Sequence, residues 1–103
     1  MFELRTYTAA EGKFDQLVER FKTDTIALFD EHNIETVGFW TDAQDENKLH
    51  YLVKHHGKPR DNWTNFVNDP RWAALLERTE QDGKLAVNME SVFMKATDFS
   101  KLQ

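Results

Sequence analysis

The stretch Phe2-Glu-Leu-Arg-Thr-Tyr-Thr8 opens the chain with two alternating kinds of side chain. Successive side chains of a β-strand point to opposite faces of the sheet. One face is mainly apolar and consists of Phe2, Leu4 and Thr6. The other carries two charges and a phenol and consists of Glu3, Arg5 and Tyr7. We expect the first face to form the core and the second to form a ligand site or a subunit interface.

A long amphipathic helix is predicted to follow this strand. Its apolar face recurs at helical spacing, and it consists of Phe14, Leu17, Val18, Phe21, Thr25, Leu28 and Phe29. The helix is expected to end near His32-Asn33, because Asn tolerates the left-handed conformation that closes a helix.

Two further strands are predicted from Ile34 to Thr41 and from Lys48 to about His55, on either side of a polar turn. They form an antiparallel pair, since so short a connection cannot make a parallel crossover. One face of the later strand consists of Leu49, Tyr51 and Val53, and the other of His50, Leu52 and Lys54.

The second helical region is predicted to break at Asp69-Pro70. Asp69 suits a helix N-cap, and Pro70 suits the first helical position, where no backbone N–H is needed. The last strand is expected from about Ala86 to Lys95, with a short tail at 96–103.

The element order is therefore β-α-β-β-α-β, an α+β, ferredoxin-like fold with a four-stranded antiparallel sheet of order 4-1-3-2. A chain of 103 residues forms one domain, because two cores would each be too small. Both helical regions cover one face of the sheet. The other face is predicted to carry apolar side chains, which are Tyr7, Trp40, Leu52, Val92 and Met94. Such a patch is typical of an interface, and it predicts a homodimer packed sheet against sheet.

Composition excludes several function classes. The formal net charge of -5 disfavours binding to nucleic acid or to anionic membranes. The absence of cysteine excludes disulfides and thiolate chemistry. With no export signal or membrane span in the sequence, a cytoplasmic location is expected.

Three segments together resemble the NIPSNAP family. They are Glu3-Leu4-Arg5-Thr6-Tyr7-Thr8 with Gly12-Lys13, then Val37-Gly38-Phe39-Trp40, and Trp63-x-x-Phe66-x-x-Asp69-Pro70-Arg71-Trp72. The resemblance covers nearly the whole chain and implies a dimeric α/β barrel. The wider superfamily with this fold includes cofactor-independent monooxygenases, haem-degrading monooxygenases, small isomerases and stress-induced dimers, so fold alone does not assign a reaction.

The candidate catalytic residues are His50, Arg5 and Tyr7. With the predicted strand order, Arg5 would stand beside His50 and Glu90, where its guanidinium could bind an oxyanion. His50 could act as a general base near neutral pH, a role for which the imidazole side chain is suited. Trp40 and Glu90 are candidate ligand-binding residues on the same face.

A structural interpretation competes with that site. Arg5 and Glu90 could form an ion pair in the dimer interface, with His50 bonded to a backbone carbonyl. Trp63 and Trp72 fall at helical spacing, which is more typical of a core, yet they could also flank a ligand pocket between helices and sheet.

No metal or cofactor is predicted. The adjacent His55 and His56 would point to opposite faces of a strand, whereas zinc ligands must converge. No haem attachment motif is present.

The sequence thus predicts a small cytoplasmic homodimer that binds a small organic molecule. Cofactor-independent monooxygenase or isomerase chemistry is one extension of this hypothesis. The alternative is a non-catalytic dimeric binding or stress-response module, and the sequence leaves open whether the protein is an enzyme.

Overall fold

The computed structural model describes all residues from 1 to 103. Its strands are β1 (Phe2–Ala9), β2 (Ile34–Thr41), β3 (Lys48–His55) and β4 (Ala86–Met94). Its helices are α1 (Phe14–Arg20), α2 (Ile26–Glu31), α3 (Pro59–Val67) and α4 (Pro70–Thr79). A π-helical turn, Phe21–Thr25, joins α1 to α2.

The four strands form one sheet of order β2-β3-β1-β4 in which every neighbouring pair is antiparallel. This order confirms the ferredoxin-like prediction. In the register of β1 with β3, Arg5 lies opposite Tyr51 and Thr6 lies opposite His50. Thr6 also lies opposite Glu90 of β4.

The first helical region is continuous, as predicted, but it contains the unforeseen π turn. The backbone N–H of Ile26 bonds to the carbonyl of Phe21, five residues back. Inside the turn, the Thr25 hydroxyl donates to the carbonyl of Arg20 at 3.3 Å. Single π turns of this kind occur frequently at functional sites.

Both predicted helix boundaries are confirmed. Asn33 has a φ of 63° directly after the helix, which is the left-handed closing conformation. Asp69 caps α4, since its side chain accepts a hydrogen bond from the Arg71 backbone N–H at 2.8 Å. Pro70 begins the helix.

The prediction for the two faces of β1 is wrong. The face with Glu3 and Tyr7 lies under the helices, and these two side chains are 1% and 8% exposed. Leu4 and Thr6 lie on the opposite face, next to Leu52 and His50. Alternation separates two faces but cannot say which one the helices cover, and the charged face is buried because long-range partners pair with its charges.

The uncovered face of the sheet is called here the open sheet face. Its members, by register, are Leu4, Thr6, Trp40, His50, Leu52, Glu90 and Val92. Trp40 and Val92 are each more than half exposed. Tyr7 was predicted on this face but belongs to the core instead. Phe2, predicted to join the core, is buried, and it lines a surface pocket together with Leu52 and residues of the tail.

None of the helices combines the length and the apolar character that crossing a membrane would require.

Candidate functional site

A partly enclosed cavity of about 170 Å³ lies between the helices and the sheet. It is called here the helix–sheet cavity. Its wall consists of Tyr7, Arg20, Phe21, Thr25, Phe29, Phe66, Trp72, Glu80, Lys84, Ala86 and Met89. These residues come from β1, the first helical region, α3, α4, the loop after α4 and β4. A concave, mainly apolar pocket with a few polar groups is the usual form of a small-molecule site.

Aromatic rings form much of this wall and pack on one another. The ring centroids of Phe66 and Trp72 are 4.7 Å apart, and those of Phe29 and Phe66 are 4.9 Å apart. The ring centroids of Tyr7 and Phe21 are 5.6 Å apart. Aromatic pairs at such distances contribute stabilising energy beyond that of their burial. These contacts hold the rings of the wall in place.

Arg20 is the principal polar group of the wall. It is 6% exposed, and its Nη1 donates to Thr79 Oγ1 at 3.2 Å and to Glu80 Oε2 at 3.0 Å. Its guanidinium carbon lies 5.3 Å from the centre of the Trp72 ring. The Arg20 Nε is buried and has no hydrogen-bond partner. An unpaired buried donor of this kind costs about 1 to 3 kcal/mol.

The π turn contributes directly to the cavity. Arg20 precedes the turn, Phe21 begins it and Thr25 ends it, and all three side chains line the wall. A π turn adds a residue to the helix and so changes which side chains face inward. The turn therefore helps to place the charged Arg20 beside Phe21 and Thr25 in the cavity wall. The other buried side chains of this helical region are mostly apolar.

Arg20, Glu80 and Lys84 were not among the site residues predicted from the sequence, although they line the cavity. A signal for Arg20 was present, since it lies three residues after Leu17 on the predicted apolar face and residues three apart share a helical face. No such signal existed for Glu80 and Lys84, which flank the loop after α4 and reach the cavity through the fold.

Arg5 is fully engaged on the helix side of the sheet. It donates from Nε to Tyr51 Oη at 2.8 Å, from Nη1 to Glu3 at 2.7 Å and from Nη2 to Tyr7 Oη at 3.1 Å. Its guanidinium also lies over the Trp63 ring, 4.3 Å from the centre. The predicted Arg5–Glu90 ion pair is therefore wrong, and Arg5 pairs within its own strand instead.

Glu3 is the acceptor at the centre of this buried network. Its Oε1 lies 2.8 Å from His55 Nε2 and accepts from Trp63 Nε1 at 2.8 Å. Burial alone would raise the pKa of Glu3. Hydrogen bonds with His55, Trp63 and Arg5 together lower it by more than burial raises it, so the pKa of Glu3 lies below the ordinary value. Trp63 thus packs on the core and anchors Glu3, whereas Trp72 lines the cavity.

His50 lies on the open sheet face, held between two partners. Its Nε2 is 2.7 Å from Asp42 Oδ2 and its Nδ1 is 2.9 Å from Thr6 Oγ1. Hydrogen bonds from His50, Gln44 and Asp45 lower the pKa of Asp42 to about 2. The expected bond from His50 to a backbone carbonyl is wrong, since a carboxylate and a hydroxyl occupy both ring nitrogens.

The structure divides the predicted site between the two faces of the sheet. Trp40 and Glu90 lie with His50 on the open sheet face, whereas Arg5 and Tyr7 lie under the helices. The prediction that Arg5 stands beside His50 and Glu90 is wrong because Thr6, one residue along, occupies that position. A shift of one residue in a strand moves a side chain to the other face.

The remaining histidines have separate partners. His55 lies beside Glu3, while His56 Nε2 lies 2.7 Å from Glu35. His32 is 2.8 Å from Asp69. No three His, Asp or Glu side chains converge in a way that could hold a metal ion.

Solved structures share this fold at low sequence identity. A NIPSNAP family protein with unknown function from Agrobacterium tumefaciens is 24% identical, with a TM-score of 0.79, and the match covers 99% of this chain and 92% of that one. A second NIPSNAP family protein from this organism is 20% identical over 99% and 97% of the two chains, with a TM-score of 0.80.

A more distant likeness leads outside that family. A putative antibiotic biosynthesis monooxygenase from Chloroflexus aurantiacus is 10% identical over 93% of this chain and 94% of that one, with a TM-score of 0.59. At this identity the likeness shows the fold alone. No curated protein sequence matches the chain.

Family membership rests on the sequence itself. The NIPSNAP family model matches residues 2–101, which is almost the whole length, and the earlier resemblance is thereby confirmed. The matched range contains both the opening strand and the Trp63-to-Trp72 segment. The chain belongs to the NIPSNAP family.

Proposed function

We propose that this protein binds a small organic molecule in the helix–sheet cavity. The observation that carries the proposal is the cavity itself, which has a volume of about 170 Å³ and is lined mainly by apolar and aromatic side chains, with Arg20 and Glu80 as polar groups. A concave, mainly apolar pocket with a few polar groups is the usual form of a small-molecule site.

A homodimer is the second part of the proposal. The open sheet face exposes Trp40 and Val92, and a second copy packed against it would remove them from water. The helix–sheet cavity lies on the opposite side of the sheet, so this assembly would leave the cavity free for a ligand.

A ligand screen by ¹H–¹⁵N NMR tests the binding proposal. A bound molecule should shift the indole resonance of Trp72, which lines the cavity, and leave that of Trp40 unchanged, because Trp40 lies on the other face of the sheet. Ala86→Leu should fill part of the cavity and remove the shift. The matched control is Ala73→Leu, at an exposed position of α4. Failure of any small aromatic or aliphatic molecule to shift Trp72 would contradict the proposal.

Catalysis at the open sheet face is a second candidate function. It is supported by the hydrogen bond from His50 to Asp42, since a carboxylate that fixes an imidazole is a common arrangement for a general base. A partner subunit would enclose His50 together with Trp40 and Glu90. The monooxygenase named above has a related fold, which makes cofactor-independent oxidation of an electron-rich substrate the reaction to examine.

Oxygen uptake with hydroquinones and anthrone-type phenols tests this second candidate. Activity that His50→Gln abolishes and that the exposed-site control His56→Gln retains would support it. Ligand binding without any oxygen uptake or isomerisation would favour the alternative, a non-catalytic dimeric binding or stress-response module.

A further inference from the structure

Strand β4 forms one edge of the sheet, and most of its side chains are exposed. It pairs only with β1, so the peptide groups along its outer edge have no strand to bond to. Edge strands in natural proteins usually carry lysine, proline or a bulge that discourages further pairing. The segment Ala86–Met94 has no lysine or proline, its only charge is Glu90, and its register with β1 shifts only near its start. The edge is therefore suited to pairing with another strand.

The helices leave part of β4 uncovered on their own side of the sheet. Directly opposed residues of an antiparallel pair share a face. Three residues of β4 lie opposite Tyr7, Arg5 and Glu3 of β1, and they are Met89, Ser91 and Phe93. Met89 and Phe93 are 60% and 51% exposed, although their partners in β1 lie under the helices. These three residues of β4 are called here the β4 strip.

The β4 strip borders the helix–sheet cavity. Met89 lines that cavity together with Lys84 and Ala86. Lys84 and Met89 are exposed and Ala86 is half-buried, whereas the wall residues from β1 and the first helical region are all buried. The cavity is therefore open to solvent on the side of β4. A small-molecule site normally buries most of its ligand, so the wall is incomplete on this side in a single chain.

A second copy of β4 matches this edge. Two copies related by a two-fold axis run antiparallel, and an axis at Ser91 puts Met89 of each copy opposite Phe93 of the other. Apolar and aromatic side chains opposed in this way stabilise a strand pair. On the other face, the same register puts Val92 opposite Glu90, so the two Glu90 carboxylates do not oppose each other. Because Val92 belongs to the open sheet face, the edge and that face would form one continuous interface.

We propose that β4 pairs antiparallel with β4 of a second copy, centred on Ser91, and that Phe93 of the partner subunit completes the cavity wall beside Met89. Each helix–sheet cavity then contains residues of both chains, so its affinity for a ligand depends on the dimer. This inference rests on the proposed function, because it completes the same cavity. Phe93 does not line the cavity of its own chain, and it acts in the cavity of the neighbouring one.

Single cysteines test the edge pairing without any ligand. The chain has no cysteine, so Ser91→Cys places one thiol of each copy at the axis. Opposed residues of antiparallel strands have Cα atoms about 4.5 to 5.5 Å apart, which is within the range that a disulfide bridges. Mild oxidation at micromolar protein concentration should therefore give a covalent dimer on a non-reducing gel. Thr64→Cys, at an exposed position of α3, is the matched control and should remain a single chain.

Benzene tests the contribution of the partner to the cavity. The cavity volume of about 170 Å³ is similar to that of a cavity of about 150 Å³ that binds benzene, and the Trp72 indole resonance reports binding. Phe93→Lys should dissociate the dimer in sedimentation velocity and weaken benzene binding at least about threefold, because the ligand loses apolar contact. Val67→Lys, at a position 61% exposed on α3, is the matched control and should change neither measurement.

The outcomes separate this inference from the proposal beneath it. If Ser91→Cys cross-links no more than Thr64→Cys, the edge pairing is overturned, and the tail of the same chain or a foreign peptide covers β4 instead. A cross-linked dimer whose benzene affinity does not change in Phe93→Lys would overturn the contribution of the partner to the cavity. Failure of benzene and of every other small molecule to shift Trp72 would overturn the proposed function and the role of Phe93 in the cavity, while a cross-link would still support the edge pairing.

Discussion

Glu3 and His55 form a pair in the interior of the protein, with 2.8 Å between Oε1 and Nε2 and side chains that are 1% and 0% exposed. Trp63 and Arg5 donate to the same carboxylate. Asn62 Nδ2 lies 3.2 Å from the other ring nitrogen of His55. The pair is therefore part of a hydrogen-bonded network that joins β1, β3 and α3.

Glu3→Gln should destabilise the fold strongly. The amide would leave the Arg5 charge without its carboxylate, and breaking a buried pair by removing one partner costs about 3 to 5 kcal/mol. Urea unfolding at neutral pH measures this loss. The control is Glu77→Gln on the exposed side of α4, which should change the free energy of unfolding by less than about 0.5 kcal/mol. Similar stability of the two variants would contradict the structural importance of the network.

The stability of the protein should fall in acid. The folded-state pKa of Glu3 lies below its ordinary value of 4.5, and that of Asp42 falls from 3.8 to about 2. Because the unfolded chain binds these protons more readily, the stabilisation is complete above about pH 5 and decreases as the pH falls. Thermal unfolding between pH 7 and pH 2 measures the effect. A melting temperature that does not change over this range would refute it.

Gly38→Ala should displace the indole of Trp40. A Cβ at residue 38 would lie only 2.6 Å from Trp40 Cη2, so the ring must rotate away. The fluorescence of Trp40 and its indole NMR resonance report this movement. In a Trp40→Ala background the substitution should have no such steric effect, and the double-mutant cycle should therefore show coupling between the two sites. Independent effects would show that Trp40 does not pack on Gly38.

Val92→Glu should prevent dimer formation if the open sheet face is the subunit interface. Val92 is 56% exposed in the single chain, so a glutamate is tolerated there until a partner buries it, and burying an unpaired charge is costly. Sedimentation velocity at micromolar concentration measures the change from dimer to monomer. Val67→Glu is the matched control, because Val67 is 61% exposed on α3, away from this face. A wild-type chain that sediments as a monomer would refute the dimer.

Much of the local structure of the chain could be predicted from its residues. The strand bounds of β2, the N-cap at Asp69 and the left-handed Asn33 all follow from short-range chemistry, because turns and caps depend on a few neighbouring residues. Sequence spacing also predicted the order of elements, and the handedness and pairing rules of such folds then left few arrangements for the sheet.

Only the tertiary structure decided which face of β1 is buried and which residues form the cavity. The alternation of Phe2 to Thr8 defines two faces equally well in either orientation. Glu3 and Arg5 could enter the interior because Tyr51, His55 and Trp63 supply their partners from more than 45 residues away. Arg20 likewise gains its role from Trp72 and Glu80, which meet it only after folding. Local sequence sets the elements, whereas the desolvation and pairing of charges depend on contacts between distant parts of the chain.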